Sequence, residues 1–204
     1  MFFATHKILK VIAWAFLVLF GLYIIIVAIR VVHFFNLDKI NAQVEKIHNT
    51  KLTLDDVMGK NLPPDPGTEA DKTVQGIDAN NNGIRDDVEL AVFKAYPNSA
   101  KTRAVLLQYA LALQMEVIQP MVNKETVTAV AEETSRGYSC IGDVISRDNM
   151  EEFTKVTDEY INFIEKKQLN TEERKKAQND FYNNNLGSFE LQNGCNINLN
   201  SFKN

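Results

Sequence analysis

The sequence predicts an all-α protein, in which an N-terminal transmembrane helix precedes a small helical domain with one calcium loop. Three observations indicate this fold class. A long apolar run without charge lies near the N-terminus, and the later segments have apolar residues at helical spacing with no convincing strand pair of period two. One twelve-residue stretch has oxygen-bearing side chains in the order typical of a calcium-binding loop.

The apolar run comprises residues 11–29, VIAWAFLVLFGLYIIIVAI, and lies between Lys10 and Arg30. A helix of this length nearly spans a hydrocarbon core of about 30 Å, and the apolar character resumes after Arg30. The run is longer than the apolar core of a signal peptide, and no small-residue cleavage site follows it. We therefore expect residues 1–35 to form a cytoplasmic stub and an uncleaved transmembrane signal anchor.

Residues 36–67 are expected to contain a juxtamembrane helix and a proline-rich linker. Apolar residues recur there at spacings of three, four and three, over too few heptads to indicate a coiled coil; they are Leu37, Ile40, Val44 and Ile47. The helix could be a dimerising stalk or could pack on its own domain, and we favour packing.

The residues after this helix predict one helical turn and then a linker. The sequence TLDD from Thr53 is a variant of the capping box and predicts a turn that ends at Gly59. The prolines at positions 63, 64 and 66 force an extended path. We place the domain boundary after this linker, so that residues 68–204 form the exported helical domain.

The segment Asp78–Glu89, DANNNGIRDDVE, matches the calcium-loop pattern D-x-[DN]-x-[DN]-G-x5-E. Gly83 at loop position 6 permits the sharp turn. Hard oxygen ligands favour Ca²⁺ over zinc or copper. The expected ligands at positions 1, 3, 5, 7, 9 and 12 are Asp78, Asn80, Asn82, the carbonyl of Ile84, Asp86 and Glu89. A simple Asx-rich turn before a helix is the alternative, but such a turn does not need oxygens at all these positions.

Two features distinguish this loop from a member of a paired regulatory EF-hand. Loop position 8 is Arg85, whereas calcium-binding EF-hands usually have an aliphatic residue at this position. The preceding residues Thr73–Ile77 are too few, and too interrupted by glycine, to form a full incoming helix. We therefore expect a lone loop that leads into an outgoing helix.

Five helices are predicted after the loop from apolar periodicity, caps and prolines. The first ends at Pro97, and the second has an apolar face that includes Leu106, Tyr109 and Leu113. The first predicted helix has Asp86 and Asp87 at its N-terminal end and continues to Tyr96. The others cover about residues 99–120, 124–138 with an extension to 145 if Gly137 is tolerated, 149–167 and 171–184.

Cys140 and Cys195 are the only cysteines and are 55 positions apart. They could be redox-active or nucleophilic thiols, buried free thiols, or one disulfide of an exported domain. We favour the disulfide, which would stabilise the fold by roughly 4 kcal/mol in the chain-entropy treatment.

Composition argues against several function classes. The net charge is −4 and no basic cluster is present, so nucleic-acid binding is not expected. The histidines, at positions 6, 33 and 48, are in or beside the anchor, which leaves the expected domain without a histidine for zinc or general-base catalysis. Acidic doublets such as Glu132-Glu133 are interpreted as solvated helix faces. No phosphate-binding glycine motif or nucleophile elbow occurs, and we expect no enzymatic activity.

The segment from Leu62 to Glu89 resembles uncharacterised exported or membrane-anchored proteins of Gram-negative bacteria. These have a proline-rich segment, then a single EF-hand-like DxNxNGIRDDVE loop and a helical region. The matching residues are PPDP at 63–66, GID at 76–78, Asn80 and NGIRDDVE at 82–89, together with the N-T-x-E-R pattern at 170–174. The resemblance implies calcium binding at Asp78, Asn80, Asn82, Asp86 and Glu89, and it implies no activity.

Basic residues flank both ends of the apolar run, so charge does not decide the orientation in the membrane. A disulfide and a calcium loop both suit an oxidising, calcium-rich compartment. We expect a single-pass protein of the inner membrane with a cytoplasmic N-terminus and a periplasmic calcium-binding domain, in a structural or interaction role. The alternatives are a calcium-independent adaptor that binds a protein partner in an envelope or secretion assembly, and, less favoured, a carboxylate- and metal-dependent enzyme.

Overall fold

The computed structural model describes residues 2–183 and 186–202, in which the regular secondary structure is helical and no strand occurs. The predicted all-α class is therefore confirmed. The described α-helices are Phe2–Asn49 (α1), Leu54–Met58 (α2), Asp86–Ala95 (α3), Ala100–Ile118 (α4), Lys124–Gly142 (α5), Met150–Gln168 (α6) and Glu172–Tyr182 (α7). Two short 3-10 helices, Gly67–Asp71 and Leu199–Ser201, complete the described elements.

The chain divides into two compact units, Met1–Ala42 and Gln43–Asn204. The first unit is part of α1, and its large apolar side chains are exposed, with Trp14 and Phe16 each 70 % accessible. Among the described residues, this is one helix whose length and composition allow it to cross a membrane. The prediction of a long apolar N-terminal helix is thus confirmed.

The second unit begins earlier than the boundary that the sequence predicts. The proline-rich linker was expected to precede the domain, whereas the compact unit starts at Gln43. The reason is burial: Ile47, Leu52 and Val57 lie in the same hydrophobic core as the later helices. The end of α1, the turn α2 and the residues after it are therefore parts of the domain.

The earlier boundary also corrects two expectations about charged side chains. His48 belongs to the folded domain, and its Nδ1 lies 2.9 Å from the Oε1 of Glu133. Glu133 is only 5 % exposed and also lies 3.3 Å from the Nε of Arg136, so the doublet at 132–133 is not a solvated face. No local sequence pattern indicates this contact, because the two residues are 85 positions apart.

Helix α4 is the centre of the domain. Every residue from Thr102 to Glu116 is buried, and α4 packs against α2, α3, α5, α6 and α7. The sequence predicts one apolar face, but the structure buries the whole circumference, including the polar side chains of Arg103, Gln108, Gln114 and Glu116. Small residues such as Ala104, Ala110 and Ala112 let the neighbouring helices approach closely.

The buried polar side chains of α4 hold the surrounding loops in place. The guanidinium of Arg103 donates to the carbonyls of Val57 (3.0 Å), Tyr96 (2.9 Å) and Pro97 (2.7 Å). Because the donor is buried, each of these bonds satisfies a group that would otherwise lose its water without compensation. Arg103 thus fixes α2 and the α3–α4 turn on the same core.

Short-range cap signals are confirmed at most helix starts. Thr53 and Asp56 form the predicted capping box, and α2 ends with Gly59 in the left-handed region at φ +68°. Ser99 and Thr171 cap α4 and α7, at the positions where the sequence predicts these helices to begin. Helix α5 continues through position 137 to Gly142, and α7 ends at Tyr182 in the described residues; its predicted end at 184 lies outside them.

The predicted disulfide is present between Cys140 of α5 and Cys195 of the C-terminal segment, with a Cα–Cα distance of 5.0 Å. The same segment is held to α4, where the Oε1 of Gln108 accepts a hydrogen bond from the Asn196 N–H at 2.7 Å. Phe202 then enters the core at 8 % exposure. The tail is therefore an integral part of the domain.

Candidate functional site

The segment Asp78–Glu89 lies between an irregular stretch and helix α3. The residues between the first 3-10 helix and the loop form bends and coil rather than an incoming helix, as expected. Two of the expected ligands, Asp86 and Glu89, lie in the first turn of α3. Carboxylates suit this end of a helix because the macrodipole is positive there.

The first half of the segment is folded by hydrogen bonds from its backbone to its own side chains. Asp78 accepts two of them, from the N–H of Asn82 to Oδ1 (3.1 Å) and from the N–H of Gly83 to Oδ2 (2.9 Å). The Oδ1 of Asn82 accepts from the N–H of Ile84 at 2.9 Å. These bonds wrap the backbone around the expected ligand oxygens, and each oxygen keeps a further lone pair.

The glycine at position 6 is required by its surroundings. Gly83 has φ +85°, and a Cβ there would lie 2.7 Å from the Cδ1 of Leu111 on α4. A side chain would therefore strain the backbone and overlap the central helix. The loop is packed directly on the core at this point.

The second half of the segment closes onto the first through two carboxylates. The Oε2 of Glu89 accepts from the amide groups of Asn80 (3.0 Å) and Asn82 (3.1 Å). Both carboxylate oxygens of Asp86 accept from the N–H of Ala79, at 3.0 and 3.2 Å. Hydrogen bonds thus join four of the six expected ligand residues through their side chains. Asp86 is attached to this network through the backbone of Ala79, and Ile84 through its own N–H. The side chain of Ile84 lies in the core.

With its carboxylates ionised, this network has a net negative charge. Asp86 is fully buried and Glu89 is 1 % exposed. Burial raises the pKa of Glu89 to about 7 against the opposing effect of the two asparagine amides, and the charge of Asp56 on α2 raises it further. Burial also raises the pKa of Asp86. In the described part of the chain, no lysine, arginine or histidine forms an ion pair with Asp78, Asp86 or Glu89.

The donor chemistry of the network fits a hard cation. It consists of three carboxylates and two carboxamides, all oxygen donors of the kind that calcium prefers. Among the described residues no group of three or more His, Cys, Asp or Glu side chains is placed to hold a metal. A cation would therefore require the amides of Asn80 and Asn82, which here donate to Glu89, to turn their oxygens toward it.

Arg85, which occupies loop position 8 in place of the usual aliphatic residue, has a structural role. Its side chain is fully buried. The guanidinium donates to both carboxylate oxygens of Asp87, at 2.7 and 2.6 Å, and to the carbonyls of Lys167 (2.9 Å) and Gln168 (3.1 Å). Arg85 therefore anchors the loop to the corner between α6 and α7. Asp87, two residues along the chain, is the one local sequence feature that indicates this role.

Arg174, the arginine of the N-T-x-E-R pattern, fixes the residues that precede the loop. Its fully buried guanidinium donates to the carbonyls of Ala70, Thr73 (3.0 Å) and Val74 (2.9 Å), and to Asp71 at 2.6 Å. Hydrogen bonds from Asn170 and from Arg174 lower the pKa of Asp71. These contacts join segments about 100 positions apart, so periodicity could not reveal them.

A cavity of about 560 Å³ lies beside the loop, within the second unit. Its wall on the loop side includes Asp78, Asn80, Asn82 and Gly83. Helix α1 contributes Lys46 and Ile47 to the lining. Three of the expected ligand residues therefore border the cavity, whereas Asp86 and Glu89 are buried and are not part of its lining.

Comparisons of the chain with protein-family models, with curated proteins and with solved structures gave no match.

Proposed function

We propose that this chain is a single-pass membrane-anchored protein whose exported helical domain binds one calcium ion at Asp78–Glu89, in a structural or interaction role rather than a catalytic one. The observation that supports it best is the pair of buried carboxylates, Asp86 and Glu89, which have no basic partner among the described residues. A buried charge without a partner is costly, and a bound cation removes that cost.

The ion would be held by the side-chain oxygens of Asp78, Asn80, Asn82, Asp86 and Glu89, with the Ile84 carbonyl as the sixth expected donor. Its charge would offset the repulsion between the three carboxylates. It would also fasten the first turn of α3 to the irregular residues before it. A single exported loop of this type belongs to the weak calcium-binding class, with a dissociation constant of about 10⁻⁴–10⁻³ M.

The proposed location rests on two features of the chain. Helix α1 is long and apolar enough to cross a membrane, and the domain has a disulfide, which persists in oxidising compartments. We place the N-terminus in the cytoplasm and the domain in the periplasm, anchored to the inner membrane. Protease added outside spheroplasts should then degrade the domain, and its protection there would contradict this orientation.

Thermal unfolding of the full-length oxidised chain in detergent tests the calcium site. Melts in 5 mM calcium, 5 mM magnesium and chelator are compared. With the dissociation constant above, 5 mM calcium should add about 1–2 kcal/mol to the free energy of unfolding by linkage, and magnesium much less. Identical melts in calcium and chelator would show that the segment is only a capped turn.

The matched variants are Glu89→Gln and Glu159→Gln. Glu89→Gln removes one ligand charge and should abolish most of the calcium effect. Glu159 is an exposed residue of α6, and its substitution should leave the calcium effect unchanged. If Glu89→Gln retained the full calcium shift, Glu89 would not be a ligand.

A further inference from the structure

A second cavity, of about 480 Å³, lies among α4, α5, α7 and the segment after residue 186. Four aromatic side chains, Tyr109, Tyr138, Tyr182 and Phe189, form much of its lining, and the remainder is mostly small or aliphatic. Its volume falls in the range of small-molecule sites, which are typically apolar with a few polar groups. It is separate from the cavity beside the calcium loop.

Three of the five hydroxyl groups in the lining use their protons in hydrogen bonds within the protein. The hydroxyls of Tyr182 and Thr134 donate to the Oε1 of Glu116, at 2.6 and 2.8 Å. The hydroxyl of Tyr109 donates to the Oε1 of Glu165 at 3.0 Å. A hydroxyl has one proton and two lone pairs, so these three groups offer a ligand only acceptors. At these three hydroxyls, the cavity therefore complements a hydrogen-bond donor.

The charge behind the lining is negative. Glu116 is 2 % exposed, and its other oxygen accepts from the amide of Gln178. Burial raises the pKa of Glu116 against its three hydrogen bonds, and the charge of Glu165 raises it further. No described lysine, arginine or histidine forms an ion pair with either carboxylate, and none is among the residues that line this cavity.

We propose that this cavity binds a small organic ammonium ion with an apolar body. The apolar body packs against the aromatic walls, and the ammonium N–H groups donate to the free lone pairs of the three hydroxyls. The ring faces and the carboxylates of Glu116 and Glu165 stabilise the positive charge. The calcium loop takes no part in this site, so the proposal stands or falls independently of calcium binding.

Three probes of nearly equal shape and different charge test the proposal: 2-phenylethylammonium, 2-phenylethanol and phenylacetate. Binding to the full-length chain in detergent is followed by titration calorimetry, with uptake by protein-free micelles subtracted. The ammonium ion should bind at least tenfold more tightly than the alcohol, and phenylacetate should bind most weakly. Equal affinity for the ammonium ion and the alcohol, or no saturable binding of the ammonium ion, would overturn the proposal.

Variants separate the charge from the shape of the cavity. Glu116→Gln and Glu165→Gln should each lower the preference for the ammonium ion over the alcohol by several fold while leaving the affinity for the alcohol nearly unchanged. Tyr138→Ala removes an exposed wall and should weaken both probes. Met150→Ala, an exposed substitution at the start of α6 outside the cavity, should change neither. If both glutamine variants kept the preference of the parent, the carboxylates would not select the charge and the proposal would fail.

Discussion

The substitution Gly76→Ala tests whether Arg85 is fixed in the core beside the loop. Gly76 has φ +69°, in the left-handed region. A Cβ at this position would overlap the Cδ of Arg85 and lie 2.7 Å from its Cγ and 3.1 Å from the carbonyl oxygen of Ala70. Arg85 cannot move aside easily because its fully buried guanidinium is held by Asp87 and by the carbonyls of the α6–α7 corner.

The expected cost has two parts. The left-handed conformation costs a residue with a Cβ roughly 1–2 kcal/mol, and overpacking a closed site costs typically 1–3 kcal/mol. Gly76→Ala should therefore lower the free energy of unfolding by about 2–5 kcal/mol. Gly67→Ala is the matched control, because Gly67 also has a positive φ of +54° but its Cβ would meet nothing within 4 Å. Gly67→Ala should therefore lower the free energy of unfolding only by the cost of the left-handed backbone conformation.

Urea unfolding of the oxidised full-length chain, in chelator and followed by circular dichroism, measures both variants. The loss of conformational freedom in the unfolded chain is the same for each Gly→Ala change, so it cancels in the comparison. The difference between the two variants should be about 1–3 kcal/mol and reports the contact with Arg85. Equal destabilisation would refute the inference that Arg85 is a rigid part of the site.

Three further predictions concern protons and the disulfide. Glu89 has a pKa of about 7 without metal and must lose its proton to bind calcium, so the calcium-induced rise in melting temperature should grow from pH 6 to pH 8; an equal rise at both values would contradict this. The pKa of Glu116 is higher in the folded protein than in the unfolded chain, where it is about 4.5. Its contribution to the free energy of unfolding is therefore fully present below pH 4.5 and is lost as the pH rises through the folded-state pKa. The free energy of unfolding of Glu116→Gln should not show this decrease with pH. If the free energies of variant and parent changed in parallel with pH, the prediction would be contradicted. Replacing Cys140 and Cys195 with serine should lower the free energy of unfolding by roughly 4 kcal/mol, and a loss below about 1 kcal/mol in urea unfolding would show that the unfolded chain is little constrained by the bond.

Helix starts were predictable from the sequence because their signals are local. A cap such as Thr53 or Ser99 satisfies N–H groups two or three residues away, so its meaning is complete within one turn. The burial of α4 on all sides was only partly predictable. Its apolar face was evident, but whether its polar residues meet water depends on helices that are distant in sequence.

The candidate loop was located from its spacing, but the residues that hold it were not. Arg85 and Arg174 are charged residues in helical or loop contexts, where a solvated position is the usual expectation. Their burial depends on backbone carbonyls that only the tertiary fold brings to them. Glu116 is a similar case, since its three donors come from α5 and α7.

The two buried arginines also limit what the proposed calcium ion has to do. Arg174 fixes the residues before the loop, and Arg85 ties the loop itself to the α6–α7 corner. Neither contact uses an expected ligand oxygen, so both persist without metal. The backbone of the loop is therefore already positioned, and the ion needs only to reorient the amides of Asn80 and Asn82 and to neutralise the carboxylates. We accordingly expect calcium to raise the stability of an already folded domain, with circular dichroism spectra that coincide in calcium and chelator at 25 °C. A large gain of helix on adding calcium would mean that the arginine contacts do not hold the loop on their own.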